Sequence, residues 1–195
     1  MKMKHLFLIV LFLATSTIVS AKKMITPIEL VALQADLIVV GEIINVNSNS
    51  YQFKVTNQIK GESTSQLTVQ KFTEWECDVR FDKVKIGQKL FLFLKKKNKK
   101  FELINGNTGE IPIIDNQLIL NHQVEKEFKI DLLEFQTAIK KFSECFMIEN
   151  CISCELVETI SQRCSDEIII KNALDYSFFN WLYNRVKENY TLAKS

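Results

Sequence analysis

The spacing of apolar and polar positions changes along the chain, and the changes divide it. From Leu37 to Leu120 the pattern is that of short strands. Leu37-Ile38-Val39-Val40-Gly41-Glu42-Ile43-Ile44 is a β-branched run typical of a strand. Gly41 interrupts it and predicts a bulge or a sharp coil. Asn47-Ser48-Asn49-Ser50 reads as a turn, after which Tyr51, Phe53 and Val55 alternate with polar residues, as in a half-buried strand. Lys60-Gly61-Glu62-Ser63 turns again, and Leu67 and Val69 share one face of the next strand. Gly87 precedes a continuous apolar run, Leu90 to Leu94. Lys95 to Lys100 reads as a hairpin tip from which Phe101 to Ile104 returns. Ile111 to Ile114 and Leu118 to Leu120 add two short extended segments. Strands this short, with turn signals at even spacing, predict a small sandwich or closed barrel over 36–120.

From about Asp131 the period becomes helical. Leu132, Phe135, Ile139, Phe142 and Phe146 recur at three- and four-residue steps. A cysteine-rich connector follows. Ser165-Asp166-Glu167 then caps a last helix with Ile170, Leu174, Phe178, Trp181 and Leu182 as its buried stripe. Upstream, Thr26-Pro27-Ile28-Glu29 reads as a capping box opening a short helix through Ala35. The fold class expected is α+β: a small antiparallel β-barrel over 22–123, then a helical, cysteine-containing region over 124–195.

The first residues have a different character. Lys2 and Lys4 precede the apolar run Leu6 to Leu13, and Val19-Ser20-Ala21 closes the segment. A charged start, an apolar stretch and a small-residue cleavage site make a secretory signal. Cleavage before Lys22 is expected, and with it a secreted or periplasmic location. No cysteine stands at the cleavage site to take a lipid anchor. Loss of Lys2 and Lys4 brings the formal charge of +2 to zero. No overall field then draws the protein to nucleic acid or anionic lipid. After the signal no run is apolar enough to cross a membrane.

The β region resembles one family. Ala35 through Ile43, then Tyr51-x-Phe53-x-Val55, then Ile59-Lys60-Gly61, is similar to the opening of netrin-like modules. Val84-x-Ile86-Gly87-Gln88-Lys89-Leu90-Phe91-Leu92-Phe93-Leu94, with Cys77 before it, resembles their later strand. The resemblance implies an OB-type barrel related to tissue inhibitors of metalloproteinases, carried by exported bacterial proteins. Those inhibitors chelate zinc through a free amino-terminal cysteine. Here the expected mature terminus is Lys22-Lys23-Met24, which counts against inhibition by that route.

All five cysteines follow the signal. Cys145, Cys151, Cys154 and Cys164 cluster, while Cys77 stands apart. In an oxidising compartment the cluster reads as disulfides. Cys145 with Cys164 would join two helix ends, and Cys151 with Cys154 would close a small loop. The same thiolates could hold zinc, or Cys151-Ile152-Ser153-Cys154 could act as a redox pair. Trp75, Cys77, Asp78 and Arg80 form a candidate contact patch, since Trp and Arg are typical interface anchors. The Lys95–Lys100 tip reads as a solvated hairpin rather than a phosphate grip. His122 is the one histidine after the signal and reads as a connector residue. No nucleophile elbow, P-loop or dinucleotide fingerprint occurs. No catalytic residue, cofactor or metal is assigned. The function expected is an exported, non-enzymatic module that binds a protein or envelope partner. The alternatives are a thiol-redox or zinc protein, and a hydrolase with an unrecognised carboxylate site.

Overall fold

The structure is a computed structural model. It describes residues 25–75, 78–98, 100–120, 128–149, 151–153, 156–157 and 159–194. The expected leader 1–21, Cys77, His122, Cys154 and the Cys151 side chain lie outside the described residues.

Helix α1 spans Ile28–Gln34, and its first five residues are all buried. The capping box expected from Thr26 and Glu29 does not form. Pro27 holds the cap position with no side-chain cap, while the Thr26 hydroxyl accepts from the Asn105 amide. Glu29 does not reach back to the helix start. Its carboxylate is buried and accepts from Arg185 Nε at 3.0 and 2.9 Å. A helix this apolar is enclosed by the fold, so its one buried acid must find a cation, here the partly exposed Arg185.

Strands β1 (Leu37–Val46), β2 (Ser50–Lys60), β3 (Gln66–Gln70), β4 (Lys89–Lys97) and β5 (Lys100–Leu103) follow. They pair in the order β1-β2-β3-β5-β4, and β4 pairs again with β1, which closes the barrel. The pairings are antiparallel except β3 with β5, where Val69 faces Phe101 in parallel. This is the OB order. The long loop after β3 carries the chain to the far side of β1, and the β4–β5 hairpin then returns beside β3. Gly41 sits at a register shift in β1, which pairs there with both β2 and β4.

Two cores share the wall formed by β1 and β4. Leu37, Val39, Tyr51, Phe53, Leu67, Val69, Leu90, Leu92 and Leu94 fill the barrel. Ile38, Val40, Phe91 and Phe93 point the other way, into a second core with the helices. That explains the uninterrupted apolar run in β4: both of its faces are covered. Val55, expected to be buried, is only half-buried at the margin of the barrel core.

A 3-10 turn at Gly106–Gly109 leads to β6 (Glu110–Ile114), β7 (Gln117–Leu120) and β8 (Phe128–Asp131), which extend the sheet from β4. Asp131 caps helix α2 (Leu132–Cys145), accepting from the amides of Leu133 and Glu134 at 2.9 and 3.1 Å. The region beyond is less helical than its periodicity predicts. It contains β9 (Phe146–Ile148), β10 (Cys151–Ser153), β11 (Leu156–Val157) and β12 (Thr159–Gln162) before helices α3 (Asp166–Asp175) and α4 (Ser177–Asn189), and ends in β13 (Thr191–Lys194). Strands β13, β12 and β9 form a small sheet. The single last helix expected from Ser165 is broken at Tyr176. The break resets the helical phase, so Ile170 and Leu174 are 58% and 81% exposed, while Ile169, Phe178, Phe179, Leu182 and Val186 are buried.

Cys145 and Cys164 form a disulfide, with Cα atoms 4.8 Å apart. It ties the end of α2 to the turn before α3, as the sequence led one to expect. Non-reducing peptide mapping should recover this pair. Replacing both cysteines should cost about 3 kcal/mol, given the 19-residue separation. Recovery of either thiol free from carefully quenched protein would contradict the assignment.

Candidate functional site

The loop between β3 and β4, residues 71–88, carries several apolar side chains that a loop of this size would ordinarily bury. Val79 and Trp75 are each 51% exposed, Phe81 46% and Ile86 67%. Ile114 on β6 adds a fifth, at 44%. Exposed apolar side chains concentrated on one surface are a candidate interaction site.

Two polar ties hold the loop in place. At one end, Asp78 pairs with Trp75 through an amide-to-carbonyl bond of 2.9 Å. The Asp78 carboxylate is buried and accepts from the Asn107 amide at 2.9 Å. The Asn107 side chain donates to Val79 O at 3.2 Å. Gly106 has φ +60°, and a Cβ there would fall 2.0 Å from Asp78 Oδ2, so the turn must carry glycine to pass this close.

The other tie is a buried ion pair. Arg80 Nε donates to Glu110 Oε1 at 2.5 Å, with side-chain exposures of 7% and 2%. The Tyr51 hydroxyl, from inside the barrel, donates to Glu110 Oε2 at 2.8 Å. Arg80 also lies 3.9 Å over the Phe72 ring and donates weakly to Glu74 at 3.4 Å. Strand β2 thus supplies the phenol, β6 the carboxylate and the loop the guanidinium. Arg80 Nη2 is buried with no hydrogen-bond partner. An orphaned donor of this kind costs about 1–3 kcal/mol.

Beside the pair opens a cleft of about 270 Å³, lined by Val79, Arg80, Phe81, Asn107, Glu110 and Pro112. A second cleft, of about 320 Å³, shares Phe81 and Pro112 and continues past Lys85 and Ile114. The two clefts meet at Phe81 and Pro112 and together make the furrow beside β6.

The Tyr51 hydroxyl is pushed well above its ordinary 10.0, first by burial and then by the Glu110 charge. Tyr190 is pushed up to about 12, chiefly by burial. A phenol whose folded value is raised supports the fold fully below its unfolded value and loses that support as pH rises toward the folded one. Stability should therefore fall as pH climbs past about 10, and Tyr51→Phe should make that fall shallower. Urea midpoints measured on both proteins across the alkaline range check this. Equal falls would contradict it.

The structure brings three of the four patch residues, Trp75, Asp78 and Arg80, to this loop, and Cys77 lies outside the described residues. It engages Cys145 and Cys164 with each other, and the Lys95–Lys100 tip stands on the β4–β5 hairpin. Sequence reasoning missed Glu110, the Tyr51 hydroxyl, Asn107 and Phe81. A signal was available for Tyr51: a tyrosine on a buried strand face needs a partner for its hydroxyl. Among the described residues no cluster of three or more His, Cys, Asp or Glu side chains could hold a metal. No described helix is long and apolar enough to cross a membrane. No protein-family model matches the chain, and no curated protein matches it.

Proposed function

We propose that the protein is an exported, non-enzymatic binding module that meets a protein or envelope partner through the β3–β4 loop and the furrow beside it. One observation carries this reading: Trp75, Val79 and Phe81 stand exposed on a loop segment whose intervening Asp78 and Arg80 are held by buried polar ties. Fixing such groups in water before binding reduces the ordering cost at the interface. Both Glu110 oxygens already accept hydrogen bonds, which suits a structural anchor better than a general base. The Cys145–Cys164 disulfide supports an oxidising compartment and leaves fewer thiolates for a four-ligand zinc site. The OB strand order supports the resemblance to netrin-like modules.

Affinity capture from the culture exterior or envelope tests the reading. It should be run with the native protein and with a Trp75→Ser/Phe81→Ser variant. Both side chains are about half exposed, so the variant should keep its fold, within about 1 kcal/mol. The native protein should enrich a defined partner that the variant loses. Equal capture by both would sink the proposal. Stoichiometric zinc or titratable reactive thiols in the purified protein would favour the metal or redox alternative instead.

A further inference from the structure

We infer that the cleft beside Phe81 seats one uncharged peptide unit of an extended, apolar stretch of the partner, read by Arg80 and Asn107. This rests on the binding-module reading and names its ligand. The guanidinium gives its Nε hydrogen to Glu110 and an Nη1 hydrogen to Glu74, while Nη2 has no acceptor. Asn107 uses its side-chain nitrogen on Val79 O, and no donor reaches its Oδ1 among the described residues. The guanidinium that lines the cleft thus keeps one unpartnered donor beneath its surface, and the Asn107 side-chain oxygen offers the cleft an acceptor that no described residue takes. A peptide unit carries the complementary carbonyl and N–H.

Charge selects among ligands. Two carboxylates, Glu74 and Glu110, already face the single guanidinium. A third carboxylate would enter a net negative surrounding, whereas a neutral carbonyl would not. A cationic ligand would find both Glu110 oxygens occupied by Tyr51 and Arg80. The walls supplied by Val79, Phe81 and Pro112 suit an apolar side chain next to the bound peptide unit. At about 270 Å³ the cleft has room for one such side chain. Nη2 is covered in the free protein, so the guanidinium must shift toward the cleft to meet the carbonyl.

Titration of the 15N-labelled protein, followed by NMR, tests the inference with N-acetyl-leucine amide and N-acetyl-leucine as probes. The amide should shift the Arg80 Nε–H and Asn107 side-chain resonances and saturate in the millimolar range. The carboxylate form should bind about tenfold more weakly. Phe81→Ser, at an exposed position that should spare the fold, should abolish saturation with the amide. Equal or tighter binding of the carboxylate, or shifts confined to other surfaces, would overturn the inference. If both probes bind alike while Phe81→Ser still abolishes partner capture, this inference fails and the binding-module reading stands. If the amide binds as described while capture survives in the Trp75→Ser/Phe81→Ser variant, the binding-module reading fails instead.

Discussion

Replacing Glu110 with alanine should lower the stability of the fold by about 3–5 kcal/mol. The pair it forms with Arg80 is almost fully withdrawn from water. Alanine would leave the guanidinium buried with its long contact to Glu74 as the one carboxylate partner, and would leave the Tyr51 hydroxyl without its acceptor. Breaking one side of a buried pair is costly because the other charge stays behind. Glu110→Gln should cost less, since the amide oxygen still accepts from one of the two donors. Replacing the pair together, Arg80→Met with Glu110→Leu, should recover much of the loss, because two apolar groups leave no uncompensated charge. Urea unfolding of the three variants measures these differences. A Glu110→Ala cost below about 1 kcal/mol would place the pair among solvent-screened surface bridges and contradict its burial.

Gly41→Val should be the most damaging single change in the barrel, at about 4 kcal/mol or more. A Cβ at Gly41 would lie 2.0 Å from the Lys54 carbonyl oxygen and 2.8 Å from the Phe53 ring. The ring could turn, but the carbonyl belongs to β2 and cannot withdraw without unpairing β1 from it. Because β1 also holds β4 at Gly41, the closure of the barrel is at stake. Gly87→Ala is the matched control. Gly87 has φ +82°, and a Cβ there would meet nothing within 4 Å, so only backbone strain opposes the change, costing about 1–2 kcal/mol. Similar unfolding midpoints for the two variants would show that the close approach at Gly41 is not what constrains β1.

The barrel was legible because its signals are local. Tyr51 and Phe53 alternate with polar neighbours, Gly41 interrupts a β-branched run, and Leu90 to Leu94 is apolar throughout. What local patterns do not carry is which elements meet. Glu29 looks like a capping-box acid until Arg185, far along the chain, is brought against it. The parallel meeting of β3 with β5 follows from barrel closure and has no signature in either strand. Ile170 and Leu174 continue a helical stripe on paper, but the break at Tyr176 turns them outward. Strands β9 and β12 are three and four residues long, too short for a period to show. The candidate site divides in the same way. Trp75, Asp78 and Arg80 stand together in one loop and could be singled out by type. Glu110 reads as an ordinary acid before an apolar strand, and only folding shows that it joins that loop to the barrel interior through Tyr51.

Rival surfaces exist on the molecule, and one experiment compares them directly. A photo-crosslinking phenylalanine analogue should be installed in place of Phe81 and, in separate samples, in place of Lys97 on the hairpin tip and Leu174 on the exposed face of α3. All three positions are open to solvent. Each sample is irradiated in the exported or envelope material that supplies the partner. The binding-module account predicts a discrete adduct of defined mass from position 81 and none from 97 or 174. Adducts from position 174 or 97, with none from 81, would contradict it.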